Sequence, residues 1–158
     1  QQTKTCVERA IALQLRAEQG GADTSEFWSK HQQSRTSGQV RAKVTFAPSS
    51  LPELYEAALS KHARTFGDGA VTIYPTVGVA FCTASHADAA LVEAALTSGR
   101  AVAERLGGSL TVLAAPAEVR ERVDVYGTLP AAFPLMRRIK ERFDPKRLCN
   151  PGRFIGHL

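Results

Sequence analysis

The chain has 158 residues, of which 44% are hydrophobic and 22% charged; this suits one ordinary core burying roughly 68–70% of the surface that the unfolded form would expose. That composition is one of a soluble globular domain and argues against disorder, and no run approaches the ~18 consecutive apolar residues of a membrane span. The net charge of +5 is local: Pro134 to Leu158 hold seven basic and two acidic residues, while residues 1–133 hold thirteen of each, so the whole excess sits in the tail.

In chain order, Val7, Ile11 and Leu15 predict a helix over 3–19 that stops at Gly20-Gly21. Asp23 to Glu26 carries the spacing of a capping box and opens a second helix with Phe27 and Trp28, running to about Gln33. Ser34 to Gly38 reads as a turn. Val40, Ala42, Val44 and Phe46 then alternate with Arg41, Lys43 and Thr45, the period of a half-buried strand. Leu51, Leu54, Tyr55, Ala58, Leu59, His62 and Phe66 mark one face of a helix ended by Gly67-Asp68-Gly69. Two runs, Ala70 to Tyr74 and Val77 to Thr83, predict a hairpin. A helix over 87–106 with Val92 and Leu96 in its stripe precedes a strand over 110–114. A short helix over 116–123 follows, and Leu135, Ile139 and Phe143 mark a last one that ends before Pro145.

From Gln39 the order is strand, helix, strand, strand, helix, strand. This predicts an α+β, ferredoxin-like split βαβ sandwich with both helices on one face of an antiparallel sheet. We expect one domain over 1–158: a helical lead-in (1–38), a ferredoxin-like core (39–115) and a C-terminal helix with a basic tail (116–158). The expected inward set is Val40, Val44, Phe46, Val71, Ile73, Val77, Val79, Phe81, Leu110 and Val112. Arg41, Lys43, Thr45, Thr72, Tyr74, Gly78, Ala80, Cys82, Thr111 and Leu113 form the opposite, mixed face.

Independent catalytic chemistry is not visible. His31, His62, His86 and His157 share no i, i+4 pairing with one another or with a cysteine, so no metal site is expected. Gly67-Asp68-Gly69 lacks the spacing of either phosphate-binding glycine loop and is a helix stop. Cys6, Cys82 and Cys149 form no C-x-x-C pair, so a reducing compartment is expected. The strand over 77–83 lacks the aromatic signature that stacks RNA bases, so a nucleic-acid partner is not expected. A basic tail can meet an anionic partner or can be a solvated helix face.

The tail is the specific feature. Leu135-Met136-Arg137-Arg138-Ile139-Lys140-Glu141-Arg142-Phe143-Asp144-Pro145, followed by Asn150-Pro151-Gly152-Arg153-Phe154, resembles the terminal helix, Phe-Asp-Pro and Asn-Pro-Gly-Arg signature of FAD-linked oxidases of the vanillyl-alcohol oxidase type. Together with Phe27-Trp28, Gly107-Gly108, Val125-Tyr126-Gly127 and Leu129-Pro130, it is similar to the FAD-binding subunit of bacterial glycolate oxidase. A chance Asn-Pro-Gly turn explains three residues but not the run. The resemblance implies the C-terminal cap of a glycolate-type 2-hydroxy-acid oxidase or dehydrogenase, with FAD held mainly by an N-terminal FAD-binding domain outside this chain, and with the chain alone inactive. It implies further oxidase subunits as partners, a small 2-hydroxy-acid substrate, and a cytoplasmic location with membrane association only through those subunits.

Carried onto this sequence, the resemblance makes Asn150, Gly152 and Arg153 the cofactor-proximal positions and names no catalytic residue; the strand alternation puts Arg41, Lys43 and Tyr74 on the mixed face, which we expect to look toward the flavin domain, and makes them the candidates for substrate contact, the alternative being that Arg41 and Lys43 are ordinary surface charges. Metal-dependent relatives carry a histidine-flanked Gly-Asp-Gly-Asn, which Gly67-Asp68-Gly69-Ala70 does not reproduce. Because the sequence begins at Gln1-Gln2-Thr3, we expect an internal or processed piece, with a strand lost upstream. The alternative is a free-standing ferredoxin-like binding or regulatory module with a basic docking tail.

Overall fold

The structure, a computed structural model, describes residues 25–85 and 88–158. The helix expected over 3–19, the cap residue Asp23, and His86 lie outside the described residues. The chain divides into two compact units, residues 1–33 and 34–158. In the first, helix α1 (Ser25–Thr36) carries an aromatic cluster, with Phe27 edge-on to Trp28 at 5.2 Å and stacked on His31 at 5.9 Å. The helix runs past the expected end at Gln33, and its last turn, Ser34 to Thr36, belongs to the second unit.

The second unit is built on a four-stranded antiparallel sheet of β1 (Val40–Thr45), β2 (Ala70–Tyr74), β3 (Val79–Ala84) and β4 (Ser109–Ala114), in the order β2-β3-β1-β4. This is the predicted α+β sandwich. Alternation on β1 buries Val40, Ala42 and Val44 and leaves Arg41, Lys43 and Thr45 on the other face. Leu110 and Val112 of β4 join the buried set.

β3 departs from expectation. Its faces are reversed: Ala80, Cys82 and Ala84 point into the core, while Val79, Phe81 and Thr83 pair with Tyr74, Thr72 and Ala70 of β2 and with Thr45, Lys43 and Arg41 of β1 on the open face. Val77, expected inside, is 72% exposed. The cause is the turn, in which the N–H groups of Val77 and Gly78 both donate to Tyr74 O at 3.2 and 3.0 Å, so that the strand starts at Val79 directly opposite Tyr74. Gly78 has φ +69°, and a Cβ there would lie 2.1 Å from Phe46 O, so only glycine fits. A one-residue shift in parity exchanges every side chain between faces.

Helix α2 is assembled from Leu51–Leu54, Tyr55–Leu59 and Ser60–Thr65. Its middle piece is a π-type turn in which Ser60 N–H donates to Tyr55 O, five residues back. Leu54 and Leu59, five apart, are therefore both buried, while Tyr55, expected in the stripe, is exposed. Helix α3 (Ala89–Arg105) starts at Asp88, whose carboxylate accepts from Ala90 N–H and Leu91 N–H, and buries Val92, Leu96 and Ala103 against the sheet. Both helices cover the face that carries Val40, Ala42, Val44 and Cys82. Helix α4 (Ala117–Arg122) buries Val119, and Val112 N–H of β4 donates to Val125 O at 2.8 Å. Helix α5 (Phe133–Phe143) buries none of its residues.

Candidate functional site

The segment before α5 is tied down by short polar contacts. Asp124 Oδ1 accepts from Tyr126 N–H and Gly127 N–H, both at 2.7 Å, and Asp124 O accepts from Arg100 Nη2. Glu104 accepts from both the N–H and the hydroxyl of Thr128. Pro134 stands in the first turn of α5, where a missing N–H costs nothing, and Asp144-Pro145 ends the helix.

Asp144 then organises the return of the chain. Its carboxylate accepts from Lys140 Nζ at 2.6 Å, Leu148 N–H at 2.8 Å and Cys149 N–H at 2.9 Å, and Lys140 Nζ also donates to Cys149 O at 2.6 Å. The Lys140 ammonium first, then the Cys149 and Leu148 N–H groups, hold the Asp144 carboxyl down to about 2. Residues 150–153 make a turn in which Arg153 N–H donates to Asn150 O at 3.2 Å; with Pro151 and Gly152 (φ +73°) at its centre it has the type II pattern. Tyr126 anchors the far side, its hydroxyl donating to Arg153 O at 3.3 Å and its ring meeting Phe154 edge-on at 5.4 Å.

Two consequences bear on binding. Asn150, Gly152 and Arg153 are all exposed, and among the described residues no hydrogen bond or ion pair engages the Asn150 amide or the Arg153 guanidinium. The apolar stripe of α5, Leu135, Ile139 and Phe143, is also exposed. Leu135 and Ile139 are about half exposed, and Phe143 is 84% exposed. The half-buried side of α5 is made by Phe133, Met136 and Lys140, and Lys140 is drawn there by Asp144. Met136, Ile139, Phe143, Phe154 and Leu158 consequently line an open apolar groove beside Arg153.

The second set of candidates lies on the open sheet face. Arg41 stands across from Thr83, and Lys43 between Phe81 and Thr111; Tyr74 on the edge strand β2 is across from Val79. Arg35, in the last turn of α1, donates from Nη1 to Tyr74 Oη at 2.8 Å and lies 5.0 Å over the Phe81 ring. Ser34 meets Thr72, and Thr83 Oγ1 donates to Ser34 O. Arg41 Nη1 donates to Thr36 O, but among the described residues the Nε atoms of Arg35 and Arg41 are buried without a partner. Buried donors left unpaired are uncommon and costly.

The structure sets Tyr74 apart from the tail residues, whereas Arg41 pairs with Ala114 of β4 beside them. Tyr74 is on the β2 edge, whereas Gly152, Arg153 and Phe154 border Leu113, Ala114 and Tyr126 around a cleft of about 490 Å³ at the β4 edge. Leu113 belongs to both the open face and that cleft. The sequence reading missed Arg35, because Ser34 to Gly38 has the composition of a turn; the only signal was that nothing breaks the helix before Gly38. It missed the organising role of Asp144 as well, although an Asp before Pro with free N–H groups following is a recognisable capping arrangement.

Residues 125–154 match the family model described as FAD linked oxidases, C-terminal domain, a match covering about a fifth of the chain. It runs from Val125, next to the Tyr126 anchor, to Phe154, just past the Arg153 turn, and it supports a flavin-linked oxidoreductase context for this segment. No curated protein and no solved structure matches the chain. Among the described residues no helix is long and apolar enough to cross a membrane, and no group of three or more His, Cys, Asp or Glu side chains is placed to hold a metal ion.

Proposed function

We propose that this chain is the cap of a flavin-dependent 2-hydroxy-acid oxidase or dehydrogenase of the glycolate type, working against an FAD-binding domain carried elsewhere in the same polypeptide or on a partner. The observation that carries the reading is a coincidence of place: the segment matched by the oxidase family model is the one that exposes an apolar stripe and leaves the Arg153 and Asn150 side chains without partners among the described residues. Free donors next to an apolar groove fit the polar and apolar edges of a bound flavin.

In this reading the flavin, when bound, would supply the two-electron acceptor for oxidation of a 2-hydroxy acid to the 2-oxo acid, the hydroxyl proton passing to solvent. The chain's own residues bind and enclose. Arg153 offers a planar guanidinium to phosphate or carboxylate oxygens, Asn150 an amide, and Gly152 an unobstructed backbone. Arg41 and Lys43 supply positive charge for a substrate carboxylate, with Tyr74 held by Arg35 at the rim of the same face. Covering the α5 stripe and the tail with the partner domain excludes water from the reacting centre. Without that domain the chain is inactive, and further oxidase subunits and a cytoplasmic setting complete the proposal.

The exposed stripe rimmed by Arg137, Arg138 and Arg142 would also serve a free-standing module docking on an acidic partner, so the test separates the two. The protein carrying this chain is purified with its partners and its flavin content is measured against an Arg153→Ala variant. We expect stoichiometric flavin, with retention weakened by roughly 1.5–3 kcal/mol in the variant, the worth of one charge-assisted hydrogen bond. Absence of flavin from the intact protein would favour the module, and unchanged retention in the variant would remove Arg153 from the site.

A further inference from the structure

Helices α2 and α3 do not close on each other along their whole length. Between them, above β1 and β3, lies a cleft of about 360 Å³, within the size range of small-molecule sites and far above the voids that cores usually tolerate. Its lining combines small residues, Ala57 and Ala58 of α2 and Ala94, Ala95 and Gly99 of α3, with larger ones that include Leu54, Leu59, Phe66, Leu91 and Leu96. On the α2 side the wall includes the π-type turn Tyr55–Leu59, a rare distortion that recurs at functional sites.

The polar content of the cleft is small and specific. Its floor is Val40, Ala42 and Cys82, and burial pushes the Cys82 thiol up to about 12, so it is an inert apolar surface and not a nucleophile. His62 is held by a 3.2 Å contact between Nε2 and Thr83 O, and burial lowers its affinity for a proton. Lys61 is the one charged residue in the lining, stands exposed at the lip, and has no ion pair or hydrogen bond among the described residues. The cleft therefore presents an apolar slot with a single cation at its mouth.

We propose that this cleft binds a medium-chain carboxylic acid, with the alkyl chain lying between Ala58 and Ala95 and the carboxylate meeting Lys61. The site is on the opposite face of the sheet from Arg41 and Lys43, and it stands whether or not the flavin reading holds. The bound acid would fill the cleft and brace α2 against α3.

The test uses the full chain titrated with decanoate, kept well below its micellar concentration, and with decanol, by calorimetry and amide chemical-shift mapping. We expect saturable 1:1 binding of decanoate, with shifts confined to residues 54–66, 82 and 91–99. Decanol, and decanoate with a Lys61→Gln variant, should each bind about tenfold more weakly. Ala95→Leu fills the slot and should abolish decanoate binding with the far-ultraviolet circular dichroism unchanged; should that variant fail to fold, the map on the unaltered chain and Lys61→Gln still decide. Lack of saturable binding, shifts outside the cleft, undiminished binding in Lys61→Gln, or a dimer that closes the cleft would each overturn the proposal.

Discussion

Helices α3 and α5 are both amphipathic, yet they end in opposite circumstances. α3 buries Val92, Leu96 and Ala103 against the sheet and is capped by Asp88, whereas α5 buries nothing and turns Leu135, Ile139 and Phe143 to solvent. An apolar period records that a face is meant to be covered, but it does not say by what. For α3 the cover is β1 and β4 of the same chain. For α5 no cover is present among the described residues, and the family match falls on this uncovered region. An exposed patch of this sort, rimmed by charge, is the usual mark of an interaction surface.

The largest effect should come from the covered layer. Leu54, fully buried where α2 meets α3, should cost about 2–5 kcal/mol on replacement by alanine. Phe143→Ala, at 84% exposure, should change the stability of the chain alone by no more than about 0.5 kcal/mol. Urea denaturation of the two variants measures the contrast directly, and comparable losses would mean that α5 is packed after all.

A second variant tests the turn that sets the faces of β3. Gly78→Ala places a Cβ against the Phe46 carbonyl in a left-handed conformation, and about 2 kcal/mol or more should be lost. A neutral result in the same denaturation assay would return β3 to the parity read from its sequence.

That parity shows how far sequence could go. The order of strands and helices was legible because β1, α3 and β4 each carry one clear period. β3 was not, since Val79, Ala80, Phe81 and Cys82 are apolar on both faces, and only the turn geometry at Gly78 decides between them. The π-type turn in α2 was equally hidden, because Leu54, Tyr55, Ala58 and Leu59 fit an ordinary helical stripe. In the tail, the chain of residues from Phe143 to Arg153 identified the segment, yet the exposure of Arg153 and the grip of Asp144 on Cys149 emerge only in three dimensions. Arg35 was illegible for the reverse reason, as its neighbours look like loop while its side chain lies over Phe81.

The smallest effect sharpens the contrast at the end of α5. Because the Asp144 carboxyl is held at about 2, below its ordinary 3.8, its contribution to the tail is fully present above about pH 4 and is lost as the pH falls through 2. Amide exchange at Leu148 and Cys149, corrected for the intrinsic pH dependence of exchange, should lose protection in that window while the amides of β1 do not. Asp144→Asn should show the reduced protection already at neutral pH. Equal protection in the variant would detach the tail from this carboxylate.

The most direct measurement of the central claim is hydrogen exchange on α5 and residues 148–154, compared between this chain alone and the same chain within the intact protein that carries it. If this region is the surface that meets the flavin domain, its amides should exchange at least tenfold more slowly in the intact protein, while those of β1 and β3 change little. Identical exchange of the α5 and tail amides in the two preparations would contradict the assignment of this surface.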